Sequence, residues 1–505
     1  MSDTTFDIVI IGSGLGGLLC GHILSQEGFS VCILEKNKQI GGSLQTFVRE
    51  RCIFDTGIHY IGGLQEGQPL HQYYKYFKVI DKLKLQKLDE DGFDILGFTG
   101  DEVRYKYAQG YENFVNVLAE QFPSEKEGIT RFCESVQEFC KRFPLYNLEE
   151  GEMSTMESGF LEVNAKQHIE TFTPNKKLQS ILGGSNSLYA GVGDKSPFYM
   201  HALILNSYIQ SSYRCIDGGS QITRILTRYI LQQGGVIRKH AEVTKLVMNG
   251  EVIGSVQLAD GSEIKGKNFI SNIHPATLLN ILETDRIRPA YRNRINGLEN
   301  TVSVFILNIV LKKDTFKYLN YNYYHCEHED VWSTANYTQE SWPEGYGIFS
   351  PASSKSREYA DGLTIMAYMR FEEMEPWKDT FNIVGKEDDR GESYEFFKKQ
   401  KSEKLIDYAE RQFPGLRDCI KSYYSSTPLT YRDYIGSVDG SLYGILKDNN
   451  DPLKTFISPK TRISNLFHTG QNLNMHGVYG VSVGAVKTCF EFVDQKYLLD
   501  KIRKA

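Results

Sequence analysis

Apolar residues recur along this chain at two spacings, one of strands and one of helices, and the first run sets the frame. Residues 8–11 (Ile-Val-Ile-Ile) form a short unbroken apolar run, which predicts a strand buried on both faces of a parallel sheet. A glycine-rich turn follows, then an apolar helical stretch through Gly21, then a second apolar run, residues 31–34, closed by Glu35. The order strand, turn, helix, strand predicts a β-α-β unit. Further on, residues 245–248, 252–258 and 267–271 alternate apolar with polar positions, and Asn249-Gly250 and Asp260-Gly261 between them predict hairpin turns. Helical spacing appears over residues 114–122, 129–143 and 395–413 and in the segment ending near Leu231, whereas residues 301–311 read as β-rich.

The turn residues of the β-α-β unit carry its chemistry. Gly12-Ser13-Gly14-Leu15-Gly16-Gly17 has the G-x-G-x-x-G spacing. Gly12 permits a tight turn, Gly14 lets backbone approach a pyrophosphate, and Gly17 lets the helix lie close on the strand with its first N–H groups facing the phosphates. Glu35 stands 18 residues after Gly17, where a carboxylate accepts hydrogen bonds from ribose hydroxyls and disfavours a 2′-phosphate. Lys36 follows it. The next glycine pair, Gly41-Gly42-Ser43, lets the chain cross close over a ribityl and pyrophosphate region, which favours FAD over NAD.

Beyond this point the motif Phe54-Asp-Thr-Gly-Ile-His59-Tyr60-Ile-Gly-Gly63 resembles the flavoprotein family of phytoene desaturases, carotenoid isomerases and retinol saturases, relatives of the flavin amine oxidases. Its wording is closest to the retinol saturases. Gln39 and Ser43 stand where that family often has arginines. Two further blocks carry the resemblance. Residues 465–485 (with His468-Thr-Gly470-Gln471, His476-Gly477-Val478-Tyr479, Gly480 and Gly484) look like its last flavin motif, and residues 215–243 look like its second FAD segment, in which the Val243 backbone meets adenine. In that last motif a helix starting near Gly477 aims its positive end at the flavin, and Gly480 and Gly484 leave one of its faces bare.

The resemblance implies an α/β fold: a Rossmann-type FAD-binding domain of discontinuous segments (residues 1–63, 214–285 and 425–505) with an inserted α+β substrate domain (64–213 and 286–424). The first insertion reads as largely helical. It also implies a long apolar polyene, isoprenoid or lipid substrate and a reaction at carbon–carbon double bonds: saturation, desaturation or cis-trans isomerisation. His59, Tyr60, His476 and Tyr479 are the candidates for moving the companion proton. With a single G-x-G-x-x-G unit, electrons are expected to exchange with a diffusing partner: NAD(P)H, a quinone or oxygen. Two other classes share the scaffold, an amine oxidase and a non-enzymatic prenyl- or lipid-binding relative. The glutamate common after the Gly470 position in amine oxidases is here Gln471, and the intact glycine turn speaks against the non-enzymatic relative.

Composition narrows the partners. A net charge of −6 with no basic tract argues against nucleic acid. Nine cysteines without a C-x-x-C pair fit free thiols in a reducing compartment. The first strand is reached by Phe6 and no apolar run approaches a membrane span, so the expected location is cytoplasmic, with peripheral contact on the inner face of a membrane. Tyr73, Tyr74, Tyr76 and Phe77 are candidate exposed aromatics for that contact. The cluster His325-Cys-Glu-His-Glu-Asp330 is metal-competent in residue type, but its compact spacing reads as a solvated loop rather than a metal site.

Overall fold

A computed structural model describes residues 5–151, 159–384 and 386–505. Its first sheet grows from the opening strand, Thr5–Ile11, whose last four residues are fully buried. That strand lies parallel between Val31–Leu34 and Glu263–Ser271. Val236–Arg238 adds a parallel strand outside Val31–Leu34. On the other side, the second half of Glu263–Ser271 pairs in parallel with Leu466–His468, while its first half pairs antiparallel with the meander Val243–Asn249, Val252–Leu258. The carboxyl ends of Thr5–Ile11, Val31–Leu34, Glu263–Ser271 and Leu466–His468 therefore open on one edge, where open α/β sheets bind ligands.

Helices Leu15–Gln26, Ser220–Gln232 and Gly477–Cys489 cover one face of this sheet. The apolar core on that face, with Ile8, Ile10, Leu18, Ile23 and Val486 at its centre, continues without a break into the helices of the first insertion, including Lys126–Lys141 and Phe198–Gln210. A separate core fills the opposite face, around Val9, Ile11 and Phe269.

The second sheet runs in the order Ile420–Ser426, Ser303–Leu311, Gly362–Met369, Gly345–Phe349, Asn322–Cys326, Asp94–Phe98, Tyr105–Tyr107. All its pairs are antiparallel except Asn322–Cys326 with Asp94–Phe98. The long helix Gly391–Gln412 packs behind it through Leu405, Ile406 and Ala409. The first insertion is thus less helical than its pattern predicts. It supplies two strands to this sheet and another, Leu85–Lys87, to a three-stranded patch with Ile61–Gly62 and Ser212–Cys215.

Three expectations are corrected here. Tyr73, Tyr74, Tyr76 and Phe77 are not membrane anchors: all four are buried, because helix Pro69–Tyr76 packs against the terminal helix Gln495–Arg503 and Tyr73 donates its hydroxyl to the Leu145 carbonyl at 2.5 Å. His325 and Cys326 do not sit in a solvated loop but in a buried strand, His325 bonding to the Thr99 hydroxyl at 2.9 Å. Among the described residues no group of three or more His, Cys, Asp or Glu side chains is placed to hold a metal. Gly484 does not share the close approach expected of it: a Cβ at Gly480 would strike Met475, whereas one at Gly484 meets nothing within 4 Å.

Candidate functional site

A single cavity of about 640 Å³ runs from the carboxyl edge of the first sheet to the inner face of the second, a size within the about 300–1,000 Å³ of small-molecule sites. Its near end is made mostly of backbone. The chain leaves Thr5–Ile11 through Gly12 at a φ of +94° and enters helix Leu15–Gln26 at Gly14, whose N-cap position has no side-chain cap. The first N–H groups of that helix are left for a ligand, and the dipole favours a negative one. Gly17 lies behind this surface, so close to the strand that a Cβ would collide with the Gly12 carbonyl oxygen.

Glu35 closes the near end. Its carboxylate accepts from the Ser13 N–H at 3.1 Å, from the Ser13 hydroxyl and from the Asn37 N–H at 2.9 Å. A carboxylate has about four acceptor positions, which leaves room for a ribose hydroxyl. Gly41 and Gly42, both at positive φ, bring the second crossing against the first: Gly41 and Gly14 form a bridge, and a Cβ on Gly42 would lie 3.2 Å from the Gly14 Cα. Ser43, Val243, Gly470, Gln471, Gly477 and Val478 line the same space, as do Ser13, Leu15 and Gly16. Of the predicted cofactor residues, Gly17 alone does not line it. Lys36 does, but its ammonium donates to the Asp433 carbonyl at 3.1 Å, and it is the only lysine or arginine among the described lining residues.

Asn272 lies outside the predicted set of cofactor residues, although sequence reasoning expects the Ser271-Asn272 pair to close its strand and return the chain toward the cofactor. Its amide fills a hollow bounded by three glycines: a Cβ on Gly14 would meet Nδ2 at 2.8 Å, and one on Gly16 or Gly470 would meet Oδ1 at 2.6 or 2.5 Å. The signal available was its place directly after the last residue of the strand Glu263–Ser271, at the carboxyl edge.

The far end is lined by rings. His59 stacks on Phe349 with centroids 4.5 Å apart, and Tyr60 packs on Tyr208 at 4.4 Å. His476 sits against Tyr443 at 4.6 Å and bonds to the Leu188 carbonyl at 3.2 Å, making no cap hydrogen bond to its own helix. Tyr479 stacks on Tyr146 at 4.2 Å and donates its hydroxyl to the Tyr146 carbonyl at 2.6 Å. Tyr324, also unforeseen, lines the cavity from the second sheet, its hydroxyl 2.9 Å from that of Tyr60. All four predicted catalytic side chains therefore border one space. Burial, helped by the Arg214 charge at His59, pulls the His59 imidazole down to about 4, and burial pulls His476 down to about 4 as well, so both are neutral near pH 7.

Three residues that line this cavity each carry a buried polar atom with no hydrogen-bond partner among the described residues: His59 Nε2, Asn37 Oδ1 and Ser437 Oγ. Buried polar atoms are nearly always satisfied. The glycine surface, where side chains would take the space, and the polar residues along the walls fit a large polar ligand laid along the cavity.

Comparison with known proteins agrees with this geometry. The description NAD(P)-binding Rossmann-like domain matches residues 10–77. The all-trans-retinol 13,14-reductase of Danio rerio is 27% identical to this chain, across 96% of this chain and 85% of that protein. The chain is its relative. Chloroplastic prolycopene isomerase of Daucus carota is 25% identical across 87% of the chain and 72% of its own length. Wild-type putrescine oxidase bound to putrescine superposes with a TM-score of 0.64 at 13% identity, covering 99% of both chains, a likeness of fold alone. The Rossmann-type α/β fold and a dinucleotide-type cofactor accordingly stand.

Proposed function

We propose that this chain is an FAD-dependent oxidoreductase acting on carbon–carbon double bonds of a long apolar polyene, and that it works as a saturase-like reductase. The observation that carries this reading is the single cavity that joins a dinucleotide cradle to a ring-lined chamber. Kinship to a retinol 13,14-reductase over 96% of the chain supports both the reaction class and an apolar substrate. FAD rather than NAD is favoured by the second glycine crossing at Gly41-Gly42.

In this reading the backbone of Ser13 to Gly16 holds the diphosphate, Glu35 the ribose, and Val243 the adenine. Gly41, Gly42 and Ser43 cover the ribityl chain, and Gly470, Gln471, Gly477 and Val478 border the ring. With Lys36 turned to Asp433, helix dipoles and N–H groups carry the phosphate charge. Bound FAD supplies hydride transfer. The protein must supply a proton. His59 and His476 are neutral and so are poor acids near pH 7. The Tyr479 hydroxyl is committed to a carbonyl. Tyr60 is left as the member of the predicted set that connects to an acidic group.

The discontinuous FAD-binding domain (1–63, 214–285, 425–505) and its cap (64–213, 286–424) remain our division of the chain. No described helix is long and apolar enough to cross a membrane, and peripheral contact would require a surface other than residues 73–77. The electron donor is a diffusing one, NAD(P)H or a quinone, with oxygen as the alternative acceptor.

The test is the visible spectrum of the purified protein, followed anaerobically through reduction by dithionite and then addition of all-trans-retinol or a carotenoid. Bleaching and return of flavin bands, with a product two hydrogens heavier, is the expected result. Return of the bands with none of these polyenes would overturn the reading. A product of unchanged mass would instead favour isomerisation, the reading that kinship to a prolycopene isomerase keeps in view.

A further inference from the structure

Behind Tyr60 lies a line of polar groups that packing alone does not require. Asp94 opens the strand Asp94–Phe98 at the place where it joins both Asn322–Cys326 and Tyr105–Tyr107. It is 3% exposed. One carboxyl oxygen accepts from the Asn322 amide at 2.7 Å and the other is 2.8 Å from the Tyr60 hydroxyl. The Tyr60 hydroxyl is in turn 2.9 Å from that of Tyr324, and Tyr324 borders the cavity. Arg214, itself 1% exposed, donates to the Asn322 side-chain oxygen at 2.6 Å and so fixes which face of that amide meets Asp94.

We propose that Asp94, Tyr60 and Tyr324 form a proton relay, with Tyr324 as the catalytic residue that delivers the companion proton to the substrate double bond. The proposal rests on the reductase reading above. The line has two states on the same oxygens. With Asp94 protonated, it donates to Tyr60, Tyr60 donates to Tyr324, and the Tyr324 O–H points its proton at the cavity. With Asp94 ionised, every donor reverses. In the reaction the π bond breaks, one carbon takes a hydride from the reduced cofactor and the other takes the Tyr324 proton. Tyr60 then reprotonates Tyr324, and Asp94 reprotonates Tyr60. The cofactor ends two electrons poorer and Asp94 ends as a carboxylate, reloaded through the same line by water when product leaves.

Burial suits Asp94 to this task. It pushes the carboxyl up to about 7, outweighing the hydrogen bonds from Asn322 and Tyr60 and the charge of Arg214. Tyr60, Tyr107, Tyr208 and Tyr324 are the titratable groups that face it, each raised by burial and so neutral near pH 7. The proton-loaded state is therefore well populated at neutral pH, and a single group governs its loss.

The experiment compares the wild-type protein with Tyr324→Phe and Asp94→Asn, each loaded with FAD. Flavin content and reduction by dithionite are expected to match wild type. Reoxidation of the reduced protein by all-trans-retinol should slow by about 100-fold or more in Tyr324→Phe, the scale of a lost general acid. In the wild type that rate should fall about tenfold per pH unit above about pH 7, and Asp94→Asn should remove the dependence. An infrared band of a protonated carboxyl, titrating near 7 in the substrate-free protein and missing from Asp94→Asn, is the readout that turnover does not enter. Tyr324→Phe reoxidising at the wild-type rate would overturn the relay alone. Failure of every polyene to reoxidise the wild type would overturn the reductase reading and the relay with it.

Discussion

At the near end of the cavity the surface is mostly backbone, and the turn that opens it belongs to one β-α-β unit, whereas at the far end it is rings and hydroxyls from segments hundreds of residues apart. Gly12, Gly14 and Glu35 come from one β-α-β unit. Tyr60, Asp94, Tyr208, Tyr324 and Phe349 come from five different segments of the chain, spanning both insertions. The first arrangement suits a ligand whose phosphates and riboses never vary. The second places chemistry on side chains, where substitution can retune the substrate without disturbing the cradle.

The sharpest break between the ends should come at Gly17. A methyl group there would meet the Gly12 carbonyl oxygen and lie 3.2 Å from Ile10 Cγ2, so the helix must move off the strand that aims its N-terminus. Gly17→Ala is expected to yield protein without flavin, and with a lower folded yield, read as the ratio of visible to 280-nm absorbance. Retention of flavin at wild-type stoichiometry would show that the near end tolerates movement the geometry forbids.

The same division explains what was legible in the sequence. The near end was read almost residue by residue because each of its parts follows from a local rule: apolar run, glycine turn, acid after the second strand. The meander at residues 243–271 and the helix Gly477–Cys489 were legible for the same reason. Asp94–Phe98 was not. Five residues from an insertion that reads as helical become a strand between Tyr105–Tyr107 and Asn322–Cys326, the second more than two hundred residues later. Tyr324 was hidden in a run of tyrosines. Once that run is known to be a strand, period two separates its members: Tyr323 turns to Gln412, 2.8 Å away, and Tyr324 turns to the cavity. Asn272 follows a recognised strand, but its role depends on three glycines converging from two ends of the chain.

A smaller effect should distinguish the ends by titration. His59 and His476, both at the ring end, have folded values near 4 against an ordinary 6.5. The unfolded chain binds their protons below about 6.5 and the folded chain only below about 4, so their stability contribution is full above about 6.5 and lost as pH falls toward about 4. Asp55 and Asp94, raised by burial to about 7, act with the opposite sign: their contribution is full at acid pH and lost as pH rises through about 7. The unfolding free energy of the cofactor-free protein, from urea titrations between about pH 7 and about pH 5, should therefore fall less steeply in His476→Gln, by about 1 kcal/mol per pH unit. An unchanged slope would place His476 in contact with bulk water.

The smallest effect has the opposite sign to the largest. Gly480 and Gly484 stand one turn apart on the last helix and read alike in sequence, yet only Gly480 borders the cavity and presses on Met475. Beyond its own helix backbone and chain neighbours, Gly484 meets no atom within 4 Å of where its Cβ would be. Within a helix interior, glycine costs about 0.5–1 kcal/mol relative to alanine. Gly484→Ala should accordingly stabilise the protein by about that amount in urea denaturation and leave its flavin content at the wild-type level. A fall in flavin content would mean that this helix carries the cofactor along both glycines, which would extend the backbone-built end of the cavity by a full turn at the expense of the ring-built one.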